Sequence, residues 1–173
     1  NQTTSNANLN TVSNGSAGRI RASIGVTTGK FYWEHTLTAY SAGGGFGVMD
    51  LNSQLGTEDL GTGTSAAASW GVLTNNGSKS NNNVNSAYGS SSTTNDVIMC
   101  ALDMTTGSVW WGKNGTWFNS GNPATNTNPA FTNLSGYTIA PALGLGAGSS
   151  QSWAHNFGQR PFAYTPPSGY KSL

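Results

Sequence analysis

Apolar residues are densest between residues 96 and 118, where they occur in short segments separated by turn-forming residues. Residues 97–102 are apolar at every position, which predicts a strand buried on both faces. Gly107 suits a turn position of positive φ, and Asn114-Gly115 is a strong signal for a two-residue hairpin loop. We therefore predict three consecutive antiparallel strands here, around which the rest of the chain packs.

Shorter alternating or apolar segments predict further strands at residues 8–12, 19–24, 31–38, 46–49, 69–73, 138–146 and 152–157. No segment of ten or more residues has a helical period with capping residues. The spacing of the strands therefore predicts an all-β sandwich with little or no helix.

The segments between these strands are expected to be loops, with a few features of their own. Residues 50–68 and 119–133 should be surface loops, and residues 75–85 a loop that could contain a weak strand. Tyr88 could begin another strand. We expect residues 1–7 to be a loose lead-in or linker and residues 8–173 to form a single domain.

The composition is unusually polar and almost uncharged. Gly, Ser, Thr and Asn supply 87 of 173 residues, and charged residues make up 8%, against about 25% in ordinary domains. Such a composition alone would indicate disorder. The six Trp and four of the six Phe fall inside the predicted strands, however, and favour a compact core that carries long uncharged loops.

Charge and hydropathy exclude two classes of partner. A net charge of +1 with no cluster of Lys or Arg argues against nucleic acid binding. No apolar run approaches the ~20 residues that a membrane-spanning helix needs. The single cysteine, Cys100, lies within a predicted strand and is expected to be a small buried hydrophobic residue.

The few ionisable residues do not form a recognisable catalytic or metal-binding pattern. A β-sandwich glycosidase needs two facing carboxylates, but Glu58 and Asp59 are adjacent and point to opposite sides of an extended chain. His35 and His155 are the only histidines, too few for a metal site without carboxylate help. We expect both to be packed or surface side chains, and we predict no catalytic residues, no metal and no cofactor.

Several segments occur in the order typical of one known family. They are Gly29-Lys30-Phe31-Tyr32-Trp33-Glu34, Phe46-Gly47-Val48, Ser69-Trp70-Gly71, the three-strand region of residues 96–118, and Asn156-Phe157-Gly158. Together they resemble the SPRY (B30.2-like) domain over residues 20–161. The resemblance implies a bent, two-sheet antiparallel β-sandwich similar to concanavalin-type lectins, and a non-catalytic module that binds proteins through loops at one end.

Two segments indicate a more specific resemblance. Residues 120–131 and 156–170 resemble those of SPRY modules in bacteriophage virion proteins. This implies a position on a tail fibre, baseplate or capsid surface, hence a virion-surface or extracellular location. The implied partners are other virion or surface proteins, or host-surface glycans, within a larger homo-oligomeric assembly. Ala147-Gly148-Ser149 replaces an aromatic-bearing loop that some animal relatives use to bind peptides.

Three functional classes remain for comparison: a recognition or assembly module, a carbohydrate-binding lectin and a concanavalin-like glycosidase. The scarcity of carboxylates argues against the glycosidase. Uncharged amide and hydroxyl loops suit hydrogen bonding to glycans or to another coat protein. The candidate ligand-binding residues are Tyr40, Tyr88, Ser149, Ser150 and Trp153. The candidate core residues are Phe31, Trp33, Phe46, Trp70, Trp110 or Trp111, and Phe157.

Overall fold

The computed structural model describes residues 2–7, 9–145, 148 and 150–173, and their strands form two β-sheets. In chain order the strands are β1 (Gln2–Ser5), β2 (Asn10–Asn14), β3 (Gly18–Arg21), β4 (Lys30–Tyr40), β5 (Gly45–Asp50), β6 (Ser69–Leu73), β7 (Lys79–Asn81), β8 (Val84–Ser86), β9 (Val97–Asp103), β10 (Ser108–Lys113), β11 (Thr116–Trp117), β12 (Ile139–Leu145), β13 (Ser150–Asn156) and β14 (Lys171–Ser172). The helical segments are three short 3₁₀ turns at Ala66–Ala68, Phe118–Ser120 and Pro123–Thr125. The predicted all-β fold is confirmed.

One sheet has eight strands and the other has six. The eight-stranded sheet follows the order β1-β2-β13-β4-β9-β10-β11, with β14 pairing in parallel with the start of β4. The six-stranded sheet follows the order β3-β12-β5-β6-β7-β8. The other strand pairs are antiparallel, and the predicted three-strand region appears as β9, β10 and β11.

The inner faces of the two sheets enclose the main core. Its largest side chains are fully buried: Trp33, Phe46, Trp70, Trp111 and Trp153. Phe31 and Phe157, also predicted to be core residues, are partly buried and pack against it. Cys100 lies in this core as expected, on β9.

The outer face of the eight-stranded sheet is covered as well, by the C-terminal part of the chain. Tyr32, Met99, Ala101, Trp110 and Tyr170 form a second buried cluster there. Phe162 packs edge-on against Tyr32, with ring centroids 4.9 Å apart. Both faces of β4 and β9 are therefore buried, which is why β9 is apolar at nearly every position.

The outer face of the six-stranded sheet is covered by residues 51–68. Leu60 packs against Met49 and Ala142 to form a third small cluster. The Arg19 side chain, from β3, donates hydrogen bonds to the carbonyl oxygens of Glu58, Asp59, Thr62 and Thr64. Residues 51–68, predicted to be a surface loop, therefore pack against the sheet, and the buried guanidinium of Arg19 holds them there.

Two local expectations were wrong, and a third was confirmed in part. Gln2–Ser5, expected to be part of a loose lead-in, forms β1 and pairs with β2. The asparagine-rich segment, expected to be a loop that could contain a weak strand, does contain strands: it forms the β7–β8 hairpin, whose turn residues Asn82 and Asn83 have φ of 51° and 63°. Asparagine tolerates this left-handed conformation better than most residues, so it replaces glycine in the turn. Tyr88 begins no strand.

Candidate functional site

Two of the predicted ligand-binding residues lie together at one end of the sandwich. Tyr40 is the last residue of β4, and Ser150 is the first residue of the neighbouring β13, where Gln151 pairs with Tyr40. The loops of residues 41–44, 74–78 and 87–96 connect strands at the same end. We refer to the surface formed by Tyr40, Ser150 and residues 41–44 and 74–78 as the Tyr40 end.

Hydrogen bonds fix the backbone of the Tyr40 end. The Ser41 N–H and hydroxyl both donate to the Ser150 carbonyl oxygen, at 3.0 and 3.1 Å. The Ser150 N–H donates to the Ser41 hydroxyl oxygen at 3.1 Å. On the other side of the loop, Thr74 N–H donates to the Gly44 carbonyl oxygen at 2.9 Å. The loop is therefore tied to both sheets.

The core residue Trp153 supports the loop of residues 41–44 through the side chain of Gln151. The Trp153 indole N–H donates to Gln151 Oε1 at 2.9 Å, and the Gln151 side-chain amide donates to the carbonyl oxygen of Gly43. Both Trp153 and Gln151 are buried. A rigid core thus positions the exposed polar groups, which reduces the entropy lost when they bind a partner.

The chemistry of the Tyr40 end is polar and uncharged. Residues 41–44 and 74–78 include no Asp, Glu, Lys or Arg, and Ser41 and Ser150 are exposed. Desolvation raises the pKa of the half-buried Tyr40, opposed by a backbone hydrogen bond with Gly43, so its hydroxyl is neutral at physiological pH. The surface can therefore recognise a partner through neutral hydrogen bonds and one aromatic ring.

The structure places the other predicted residues differently. Tyr88 is 7% exposed and its hydroxyl lies 3.2 Å from the backbone nitrogen of Trp111, while Trp153 is 1% exposed. Neither ring offers a face for stacking, so we correct their assignment from ligand contacts to core residues. Ser149 lies outside the described residues.

A pocket that the sequence did not predict opens between the two sheets. It has a volume of about 420 Å³ and is walled mainly by apolar side chains, among them Leu9, Ile20, Leu143 and Phe157. Its polar lining residues are Thr4, Thr11, Arg21, Ser23, His35 and His155. The two histidines are 120 positions apart in the chain, so no local pattern could have indicated that they meet.

The described carboxylates mostly serve structural roles. Glu34 and Asp103 are buried, and Asp96 and Asp103 pair with Lys113 and Lys30. Within the described ranges, no three His, Cys, Asp or Glu residues are grouped so that they could hold a metal ion. Nor is any helix in this part of the chain long and apolar enough to cross a membrane.

Comparisons with known proteins agree with this architecture. The SPRY domain family matches residues 30–160. The crystal structure of the SPRY domain of human HERC1 is similar, with a TM-score of 0.69 and 20% sequence identity over 92% of this chain and 94% of that chain. At 20% identity the structural likeness establishes the fold alone. The family match covers residues 30–160, most of the chain, and it therefore establishes the family. The protein therefore belongs to the SPRY domain family.

Proposed function

We propose that this chain is a non-catalytic recognition or assembly module of a bacteriophage structural protein, and that the Tyr40 end is its contact surface. SPRY domains typically act as protein–protein interaction modules. The observation that carries the proposal is the uncharged, rigidly supported group of hydroxyls around Ser41 and Ser150. Neutral hydrogen bonds on a preformed frame suit contact with another coat protein or a host surface.

The bacteriophage context rests on the resemblance of residues 120–131 and 156–170 to SPRY modules of virion proteins. The two segments pack together, since the Tyr170 hydroxyl donates to the Pro123 carbonyl oxygen at 3.3 Å. They cover one outer face of the sandwich and leave the Tyr40 end open. A virion-surface or extracellular location, within a homo-oligomeric assembly on a tail fibre, baseplate or capsid, follows as part of this proposal.

Site-specific photo-crosslinking in intact particles tests the contact surface. A photoreactive amino acid at Ser41 or Ser150 should capture one defined neighbouring protein. Val84 is the control position, because it is 64% exposed on β8 and its register partner Asn81 lies towards the opposite end of the sandwich. Equal capture from Val84, or no capture from either serine, would contradict the assignment of the Tyr40 end.

The second candidate function is a carbohydrate-binding lectin, favoured by the half-buried Tyr40 ring beside exposed serine hydroxyls. Aromatic rings and hydroxyl groups are suitable partners for a sugar's apolar face and polar edge. A glycan array distinguishes the two functions. Saturable binding to one sugar class that is lost in Tyr40→Ala would support the lectin, whereas absence of glycan binding together with a defined protein crosslink would support the assembly module.

A further inference from the structure

A continuous series of hydrogen bonds connects Trp33, His35, His155 and Thr11 across three neighbouring strands. The Trp33 indole N–H donates to His35 Nε2 at 2.9 Å. The Nδ1 atoms of His35 and His155 are 2.7 Å apart, and His155 Nε2 lies 2.9 Å from the Thr11 hydroxyl oxygen. All four residues are at most 6% exposed.

The geometry determines where each proton lies. An indole N–H can only donate, so His35 Nε2 must be the unprotonated nitrogen of that ring. A neutral His35 therefore carries its proton on Nδ1 and donates it to His155 Nδ1. His155 is then protonated on Nε2 and donates to the Thr11 hydroxyl oxygen. All three hydrogen bonds are satisfied only when both imidazoles are neutral.

An additional proton has no acceptable position in this arrangement. Protonation of His35 Nε2 would direct an N–H at the indole N–H of Trp33. Protonation of His155 Nδ1 would direct it at the N–H of His35, across 2.7 Å. Either event replaces a hydrogen bond by the repulsion of two donors within the buried interior.

The surroundings do not favour a positive charge either. Glu34, the carboxylate nearest in sequence to His35, belongs to the opposite face of β4 and binds Tyr32 and residues 163–164 there. Burial lowers the pKa of His35 well below its usual range, and the neighbouring His155 lowers it further. Burial also lowers the pKa of His155 to about 4, with a smaller contribution from the positive charge of Arg160.

The remaining charged groups around the pair are cationic or occupied elsewhere. On β3, the Arg21 side chain donates to the carbonyl oxygens of Asp50 and Ser53. Beyond β13, Arg160 is exposed, and on β14 the Lys171 ammonium lies over the Phe31 ring. No carboxylate of the described residues is hydrogen-bonded to His35 or His155.

The β1–β2 hairpin contributes one side chain, that of Thr11, to this hydrogen-bond series. β1 pairs with β2 alone, and β2 joins the sheet through β13. The buried side chains that the hairpin contributes are those of Thr11 and Ser13, both polar, and no described residue of either strand belongs to a hydrophobic cluster. The pocket of about 420 Å³ lies beside Thr11. The hairpin therefore has the features of a unit that opens locally before the core does.

We propose that the Thr11–His155–His35 series is an acid-sensitive lock that holds the β1–β2 hairpin against the sandwich at neutral pH and releases it when the pair takes up a proton. Release would separate β2 from β13 and widen the pocket between the sheets. This inference is independent of the partner that binds the Tyr40 end. It would make the exposure of the β13 edge and the pocket dependent on the acidity of the surroundings.

The sign of the pH effect follows from proton linkage. In the open state His155 has lost its Thr11 partner and faces solvent, so its pKa returns towards the ordinary value near 6.5. Below this pH the open state therefore binds one proton more than the closed state. Opening is therefore least favourable above pH 6.5 and becomes more favourable as the pH falls towards 4. For each proton taken up, the open population should rise about tenfold per pH unit within this window.

Hydrogen exchange between pH 7 and pH 4.5 tests the lock on the full chain. After correction for intrinsic exchange, opening measured at amides of β2 (Asn10–Asn14) should increase about tenfold per pH unit, while β9 (Val97–Asp103) should show no such increase. Opening of β2 that is independent of pH, or parallel opening of β9, would overturn the proposal.

The double variant His35→Gln/His155→Gln is the matched control. Each glutamine can accept through its oxygen and donate through its nitrogen, so it can keep the direction of the hydrogen bonds without titrating. The acid response of β2 should disappear in this variant, and an unchanged response would overturn the proposal.

Nitrogen NMR of the native protein provides a second readout should the variant fail to fold. At pH 7 it should show Nδ1–H on His35 and Nε2–H on His155, and on acidification charged rings should appear together with loss of β2 protection. If the His35 or His155 ring became charged while the β2 amides stayed fully protected from hydrogen exchange, the lock would be refuted.

Discussion

The carboxylate of Glu34 accepts a hydrogen bond at 2.9 Å from the backbone N–H of Tyr164, which lies 130 positions later in the chain. Its other oxygen accepts from the Ala163 N–H at 2.9 Å, and the Tyr32 hydroxyl donates to the first oxygen at 2.8 Å. Glu34 is 3% exposed. A buried negative charge is thus stabilised by three donors, and it fixes the C-terminal segment over the outer face of the eight-stranded sheet.

Replacing this carboxylate should release the segment that it holds. In Glu34→Gln, one of the three donors would face the new amide N–H₂ group, and the remaining hydrogen bonds would lose their charge assistance. We expect a loss of about 2–3 kcal/mol in the free energy of unfolding, measured by urea denaturation, and faster proteolysis within residues 158–169. The control is Glu58→Gln, because the Glu58 side chain is 40% exposed. This substitution should lower the free energy of unfolding clearly less than Glu34→Gln. Equal losses would contradict the role of Glu34.

The core of the fold was predictable because its signals are local. Residues 97–102 are apolar throughout, and Asn114-Gly115 adopts the two positive φ values, 51° and 85°, that a tight hairpin turn needs. That Tyr40 and Ser150 meet at one end of the sandwich follows from the pairing of β4 with β13, which the sequence did not predict. The predicted roles of Tyr88 and Trp153 failed because position near a strand end does not determine whether a side chain points outwards.

The contacts that hold the covering segments could not be predicted, because their partners are distant in sequence. Glu34 stood alone on its strand, and nothing in the sequence indicated that the backbone of residues 163–164 would bind it. Arg19 appeared to be an ordinary polar residue of a half-buried strand. Its four carbonyl partners lie 39 to 45 positions away. Turns built on Asn82 and Asn83 were obscured by a composition in which asparagine is common everywhere.

Substitution of Arg19 should loosen the cover over the six-stranded sheet. Lysine cannot reach four carbonyl oxygens at once, so Arg19→Lys should lower the free energy of unfolding by about 2–3 kcal/mol and increase hydrogen exchange in residues 57–64. The matched control on the same strand is Arg21→Lys, because Arg21 is half-buried and donates to two carbonyl oxygens through one nitrogen. A loss in Arg21→Lys as large as in Arg19→Lys would contradict this role.

The thiol of Cys100 should be chemically inert in the folded protein. Burial raises its pKa well above the ordinary value, opposed by the neighbouring Trp111 side chain, so the reactive thiolate is scarce at neutral pH. A thiol reagent such as DTNB should not react with the native protein within hours, but should react stoichiometrically in denaturant. Rapid reaction under native conditions would show that the inter-sheet core opens at β9.

Three glycines, Gly47, Gly71 and Gly144, form the surface of the six-stranded sheet against which Leu60 packs, and Gly47 is the most constrained of them. A Cβ atom at Gly47 would overlap the Trp70 carbonyl oxygen on the adjacent strand and lie 2.8 Å from Gly71 Cα, while one at Gly144 would lie 2.6 Å from the Leu60 nitrogen. These neighbours are backbone atoms of packed segments, so they cannot move without separating β5 from β6 or lifting the cover.

Gly47→Ala should therefore cost at least about 3 kcal/mol of unfolding free energy, measured by thermal or urea denaturation. The control is Gly136→Ala, where a Cβ would meet no atom within 4 Å and only the φ of +88° is unfavourable, at a cost of about 1–2 kcal/mol. If Gly47→Ala were as stable as Gly136→Ala, the close approach of β5 and β6 would not be a requirement of the fold, and residues 51–68 would need another reason to lie where they do.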